Sequence, residues 1–225
     1  MTFKAMSDEF DVTSVSLNIA KKGNQRNVGV AVHRRIQKDI TSSFLDDSNN
    51  DFYRISLYEF AENDQLSNID SLFNQIGQAT VYISEEFQDT QKGDGRKLAH
   101  IFSSRNVEPV VLKRGYYIKK PETNALLLKL VGKTTHAINI AESERPIAYG
   151  CLESLMQCLR LRDEDSQFGR CEFSLESLST YMKLDSAAAE AVNLLPKPDH
   201  PSVFGSLYGL LNRCKTKMGP RMLER

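Results

Sequence analysis

The segment of this chain closest to a nucleotide site is Val131-Gly132-Lys133-Thr134-Thr135. It ends like a phosphate-binding loop, whose backbone amides and lysine cradle phosphates. Such a loop requires a glycine five places ahead of the Gly-Lys pair, where this chain has Leu127. It should also follow a strand, whereas this segment follows a helical pattern. The segment therefore reads as a helix end. Carboxylates offer a second chemistry. Two-metal cleavage of a phosphodiester needs acidic side chains converging on a sheet, one of them normally on its first strand. Ser14–Ile19 carries none, Glu59 stands alone on its strand, and Asp46, Asp47 and Asp51 belong to a solvated acidic loop. The cysteines (Cys151, Cys158, Cys171, Cys214) form no C-x-x-C pair, and His33, His100, His136 and His200 are scattered. No zinc set results. Cys151, Cys158 and Cys214 are placed on helical apolar faces, where a thiol behaves as a small hydrophobe. No Ser/His/Asp or Cys/His set has a constraining spacing. No catalytic, cofactor-binding or metal-binding residue is predicted, and the chain is read as non-enzymatic.

The elements that would position any site alternate strand and helix over the first two-thirds. Val15, Leu17 and Ile19 alternate with polar neighbours, as do Val28, Val30 and Val32 after the Lys21–Asn27 turn. Period two over two such runs predicts an antiparallel hairpin. A third strand is predicted over Phe52–Phe60. Ser67-Asn68-Ile69-Asp70 has the form of a capping box, and Ile69, Leu72, Phe73 and Ile76 make one apolar stripe that Gly77 stops. A strand (Ala79–Ile83), a helix (Arg96–Ser103), a strand (Val107–Leu112) and a helix (Glu122–Val131) follow. Three antiparallel strands and then alternating helix and parallel strand is the ribonuclease-H-like arrangement, an α/β mixed sheet with flanking helices.

Beyond about Glu142 no further strand is predicted. Pro146 can begin a long helix with Ala148, Cys151, Leu152, Leu155 and Leu159 on one face. Phe173–Met182 is ambiguous. Asp185 can cap a helix over Ser186–Leu195, and Leu207, Leu210, Leu211 and Cys214 form another stripe. The expected domains are 8–142, α/β, and 143–225, all helical.

Composition narrows the function classes. The 29 basic and 29 acidic residues cancel, so no overall basic excess announces a nucleic-acid-binding domain. The one local excess (Arg213, Lys215, Lys217, Arg221 and Arg225 against Glu224) reads as a phosphate contact or as a solvated helix end. Met1–Asp11 is polar and acidic, and no apolar run approaches the ~18 residues of a membrane span. A soluble intracellular protein in a reducing compartment, with no membrane partner, is expected. Helix Glu122–Val131 is more apolar than one buried stripe requires. Two readings stand: a deeply buried helix, or a partner-docking surface at its N-terminal end, where Glu122, Thr123 and Asn124 are expected to be exposed.

Several stretches, taken in order, resemble one family. Asn63-Asp64-Gln65-Leu66-Ser67-Asn68-Ile69-Asp70-Ser71-Leu72-Phe73-Asn74-Gln75-Ile76-Gly77 resembles the connector domain of eukaryotic members of the MutS family of DNA mismatch-repair proteins. Ser166-Gln167-Phe168-Gly169 is similar to the family's entry into its lever domain. Tyr181-Met182-Lys183-Leu184-Asp185, with Ala188, Ala191, Asn193 and Leu194, resembles its first core signature. Leu210-Leu211-Asn212-Arg213-Cys214-Lys215-Thr216, then Gly219 and Arg221, is similar to the next. Pro220 is compatible with a helix capped by Thr216, since it falls in the first turn. The resemblance covers about residues 8–225.

It implies a connector followed by the start of a lever. It also implies a nuclear subunit that pairs with a second MutS homologue, holds mismatched duplex DNA through the complete protein, and docks a MutL homologue. By position Glu122, Thr123 and Asn124 fall near that docking face. ATP and magnesium would belong to the parent protein, with no cofactor in this chain. The mismatch-binding domain, clamp and ATPase motifs are not recognised here, which implies a fragment whose helical part is loosely held. The alternatives are a ribonuclease-H-like metal-dependent nuclease built around Glu59, or a standalone regulator competing for the same partner.

Overall fold

The computed structural model describes residues 13–23, 25–36, 52–89, 93–132, 136–163, 167–178, 184, 186–196, 205–216 and 218–223. The expectations for Asp46, Asp47, Asp51, Lys133, Thr134, Thr135, Ser166, Tyr181, Met182, Lys183, Asp185, His200, Lys217, Glu224 and Arg225 lie outside the described residues. The chain packs as two compact units, Met1–Asp64 with Gln78–Ser177, and Gln65–Gly77 with Leu178–Arg225.

The first unit is a mixed six-stranded sheet with flanking helices. Strand β2 (Gln25–Ile36) pairs antiparallel with β1 (Ser14–Lys22) on one side and with β3 (Phe52–Glu62) on the other. Strand β4 (Thr80–Ser84) lies parallel to β1, β5 (Val110–Leu112) parallel to β4, and β6 (Cys171–Glu176) parallel to β3. The order is β5-β4-β1-β2-β3-β6. Val15, Leu17 and Ile19 stand opposite Val32, Val30 and Val28, all buried, so the period-two expectation holds. Helix α2 (Gly93–Ser103) begins three residues before the expected Arg96. A Cβ on Gly95 would sit 2.2 Å from the Asp89 carbonyl oxygen, so only glycine fits that helix start. Asp94, in the first turn of α2, meets Lys21 at 2.7 Å and Arg26 at 3.3 Å from the β1–β2 hairpin. Burial raises its carboxyl pKa, but these two cations outweigh burial and hold it below the usual range.

Strand β6 corrects the expectation that strands end near residue 142. Cys171, Phe173 and Leu175 alternate with Glu172, Ser174 and Glu176, a short period-two pattern, and β6 adds to the sheet beside β3. The Arg145 guanidinium fastens that edge, donating to the Leu57 carbonyl of β3 at 2.9 Å and to the Glu176 carbonyl of β6 at 2.8 Å. Helices α3 (Thr123–Val131), α4 (His136–Glu144) and α5 (Pro146–Cys158) belong to this unit too. The packing units are therefore not the expected segments 8–142 and 143–225. Helix α5, with Pro146 at its first position as expected, buries Ala148, Cys151, Leu152 and Leu155 against Ala31, Ile55 and Leu57. It ends by a left-handed Arg160: the amides of Leu161 and Arg160 reach the carbonyls of Met156 and Gln157.

His33 lies buried in β2, its ring stacked on Tyr53 with centroids 4.9 Å apart. Burial lowers its pKa from 6.5 to about 4, against the weaker opposing pull of the neighbouring Gln167 side chain, which favours the protonated ring. A base whose folded pKa is depressed contributes stability above its unfolded pKa, and that contribution fades as pH falls from 6.5 toward 4. Between pH 7.5 and pH 5 the expected loss is roughly 2 kcal/mol. Urea melts at the two pH values test this. His33→Gln should shrink the pH difference by that amount, and an unchanged difference would show that His33 does not carry it.

In the second unit α1 (Ser67–Ile76) buries Ile69, Leu72, Phe73 and Ile76 as expected and stops at Gly77. Its N-cap is Leu66 in left-handed conformation with no side-chain cap bond, so Ser67 is the first helical residue and not the cap that was expected. Helix α6 (Ser186–Ala191) is shorter than expected because Asn193, also left-handed, terminates it through Leu194–Ala189 and Asn193–Glu190 backbone bonds. Ser206 caps α7 (Leu207–Leu211) by accepting from the Gly209 amide at 3.0 Å. Cys214 lies past the end of α7 and is exposed, and so are Leu207, Leu210 and Leu211; the expected stripe is not a buried one in the described residues. Pro220 falls in the first turn of α8 (Met218–Leu223), as expected.

Candidate functional site

Three sets of side chains could have carried chemistry, and the fold gives each a definite task. Glu59 on β3 was the strand carboxylate that the sequence offered to a metal. One of its oxygens accepts the backbone N–H groups of Ile147 and Ala148, each at 3.0 Å. These are the first free amides of α5, since Pro146 has none, and a carboxylate there also meets the positive end of the helix dipole. Glu59 thus caps a helix, and among the described residues no three His, Cys, Asp or Glu side chains cluster as a metal set. Gly132 ends α3 in left-handed conformation, its amide bonded to the Leu128 carbonyl at 2.9 Å, which fits the helix-end reading.

Burial disfavours the thiolate at the cysteines of the sheet unit. Burial raises the thiol pKa at Cys151 and Cys158, and pushes Cys171 up to about 12. Thiolate, the reactive form, is scarce under such conditions. Cys151 instead donates to the Gly29 carbonyl at 3.1 Å.

The third set surrounds the start of α3. Thr123 is fully buried, which corrects its expected exposure. Its hydroxyl lies 2.8 Å from the Lys120 carbonyl and within hydrogen-bond reach of the Glu153 carboxylate. Asn124 is half-buried. Its amide donates to Glu142 of α4 and its carbonyl accepts from the Tyr149 hydroxyl of α5. Lys119 pairs with the same Glu142 and lies 5.7 Å from the Tyr149 ring centre. Burial, then the neighbouring Glu153, pushes Tyr149 up to about 12, so its hydroxyl stays a donor across the physiological range. Glu122 alone is exposed, with Arg162 at 2.9 Å.

Glu153 organises this corner. It is fully buried on α5 and accepts from Gln157 at 2.7 Å and Arg162 at 2.9 Å, with the Lys120 ammonium at 3.8 Å. Arg162 therefore joins a surface carboxylate, Glu122, to a buried one. Thr123 and Asn124 fix α3 to α4 and α5, and their removal would loosen the corner rather than delete a contact with a partner. Leu126, Leu127 and Leu130 are buried while Leu128 is exposed, so the helix is mainly a buried one. Sequence reading missed Glu142, Tyr149, Glu153 and Arg162. The legible signal was Glu153 within the apolar run of α5, since a glutamate is seldom buried without partners.

The corner is a packed polar network with one exposed carboxylate, Glu122, which is paired to Arg162. Comparison with known proteins adds the relationship. The chain is 29% identical over 171 residues to the DNA mismatch repair protein msh-2 of Neurospora crassa, covering 76% of this chain and 18% of that protein. It is 26% identical over 191 residues to the DNA mismatch repair protein MSH2 of Saccharomyces cerevisiae, covering 76% and 20%. With the DNA mismatch repair protein MSH2 of Zea mays the identity is 27% over 193 residues, covering 85% and 20%. The chain spans about a fifth of the length of these relatives. No protein-family model matches it.

Proposed function

We propose that this chain, a relative of MSH2 proteins, is a MutS-family member that acts in DNA mismatch repair as a non-catalytic connector and lever opening. The observation that carries the reading is the run of similarity across both packing units of the chain. The strand order β5-β4-β1-β2-β3, antiparallel first and parallel after, supports a ribonuclease-H-like connector. On this reading the sheet unit is the rigid body between moving parts, and the helical unit begins a lever. Packed elements with alternative arrangements pass such motion on. The complete nuclear protein would pair with a second MutS homologue and hold mismatched duplex DNA. ATP and magnesium would act in its ATPase region, and none of the described residues is assigned to them.

The same reading assigns the Glu122 ledge to docking of a MutL homologue. Glu122 offers an exposed carboxylate on a corner that the Glu153 network holds still. A preorganised surface binds with less ordering cost. Biolayer interferometry of the purified chain with a MutL homologue is the test. Glu122→Lys should weaken the complex about tenfold, the scale of one reversed rim charge. No binding at high micromolar concentration, or binding indifferent to Glu122→Lys, would sink the docking assignment.

A further inference from the structure

Arg145 stands where α4 passes into α5. Its amide closes α4 on the Ala141 carbonyl at 3.1 Å, and its carbonyl opens α5 by accepting the Tyr149 amide at 2.9 Å. Its guanidinium reaches across the sheet, where the one nitrogen Nη1 donates to the carbonyls of Leu57 on β3 and Glu176 on β6. Glu176 is the last residue of β6, and Ser177 is the last of the sheet unit. The chain thus leaves that unit for the last time directly past the carbonyl that Arg145 grips.

Strand β6 is built to open at that end. It closes the sheet order, and among the described residues it pairs with β3 alone. Its side-chain ties to β3 are polar: Arg54 to Glu172 at 2.8 Å, both well exposed, and the Ser56 and Ser174 hydroxyls at 3.0 Å. Cys171 and Phe173 are buried, whereas Leu175 is only partly so. Apolar anchoring weakens toward Glu176, and there a charged donor on two carbonyls takes over the task of seating the strand. Segments with few buried apolar contacts open locally, well before the whole fold does.

The same junction leads to the Glu122 corner. One helical turn past Arg145, the hydroxyl of the buried Tyr149 donates to the Asn124 carbonyl in the first turn of α3. The Asn124 amide donates to Glu142, the neighbour of the Ala141 whose carbonyl Arg145 caps. Asn124 is therefore gripped from the turns on either side of Arg145, and a shift of Arg145 disturbs both grips together.

We propose that Arg145 is a clasp coupling the seating of β6 to the order of the α3 turn that presents Glu122. With β6 seated, two carbonyls hold the guanidinium and the α4–α5 junction is fixed. With β6 released, the junction loosens, and Tyr149 and Glu142 lose their aim at Asn124. A strand that is either seated or released has two discrete arrangements, and such elements carry coupling between sites. Coupling is reciprocal: a partner bound at Glu122 favours the seated strand, and a pull on the chain past Ser177 weakens docking. That consequence rests on the docking reading of Glu122. The coupling itself needs no partner, so the two fail separately.

Amide exchange of the full chain, read by mass spectrometry, tests the clasp on Phe173–Glu176, on Thr123–Leu127 and, as reference, on Val28–Val32 of β2. Arg145→Met should quicken the first about tenfold and the second about threefold, with the reference unchanged. Tyr149→Phe should quicken Thr123–Leu127 and leave β6 protected. In the double variant, the loss of Arg145 should quicken β6 as before and add nothing further at α3. Arg145→Lys, which keeps a charged donor, covers the case in which Arg145→Met does not fold, and should give the same pattern with smaller rises. Exchange at Thr123–Leu127 indifferent to the Arg145 variants, an equal rise in the reference, or additive rises at α3 in the double variant would overturn the proposal. Interferometry with Glu122→Lys reports on docking alone, whichever way the exchange falls.

Discussion

Replacing Gly29 with alanine should cost at least about 4 kcal/mol, a large part of the ~5–15 kcal/mol that holds a typical protein folded. Gly29 pairs with Glu59 across β2 and β3, and the first turn of α5 rests directly on it. A Cβ there would sit 2.3 Å from the Ala148 nitrogen and 2.4 Å from the Ile147 carbonyl carbon. Neither atom can step aside, because both are backbone of a helix pinned by the two Glu59 bonds. The helix must lift by an ångström or more. Overpacking alone costs about 1–3 kcal/mol. Lifting α5 adds to this, since Ala148, Cys151, Leu152, Leu155 and Met156 are all essentially solvent-free and lose their close contacts together. The Glu59 cap, worth about 1 kcal/mol, stretches as well. Thermal melts with Gly115→Ala as control make the comparison, because a Cβ at Gly115 meets nothing within 4 Å. The Gly29 variant should melt about 10 °C or more below the control, at roughly 2–4 °C per kcal/mol for this size. Melting within a few degrees of the control would show that α5 is not anchored there.

The same pair of residues shows where sequence reading stops. Val28, Val30 and Val32 predicted β2 correctly, because period two is a property of local spacing. Gly29 lies between the first two of these and gave no signal of its own. Its role depends on a helix more than a hundred residues later in the chain. Glu59 likewise read as an isolated carboxylate, and its task appears only when Pro146 and the two amides after it arrive. Local rules also located Gly77 and Pro146. They failed at β6, whose six residues lie between helices and draw their pairing from distant β3, and at Thr123, whose burial follows from Glu153 on another helix. The left-handed termini at Arg160 and Asn193 escaped for a third reason: glycine is the expected residue at such positions, and neither is glycine.

Removing the Glu153 carboxylate should be the second large effect, at about 3 kcal/mol for Glu153→Ala. Breaking a buried ion pair from one side typically costs 3–5 kcal/mol, because the surviving charge stays buried without a partner. Here the survivors have escapes. Arg162 keeps Glu122, Lys120 is 44% exposed, and the Thr123 hydroxyl keeps the Lys120 carbonyl. The cost therefore falls at the lower end, made up of a cavity and the unpaired Gln157 amide. Glu153→Gln keeps the volume and one acceptor, and should lose about half as much. The double variant Glu153→Ala/Arg162→Ala separates pairing from packing. If the pair acts as a unit, it will lose at least about 1 kcal/mol less than the two single losses added. The network also predicts a local readout. In Glu153→Ala, amide exchange should quicken at Thr123–Leu127 and at Arg160–Arg162, because α3 and the end of α5 are held together through that carboxylate. Additive single losses with unchanged exchange would mean that Glu153 fills space and does not hold the Glu122 ledge. Any docking at Glu122 would then rest on α3 packing alone.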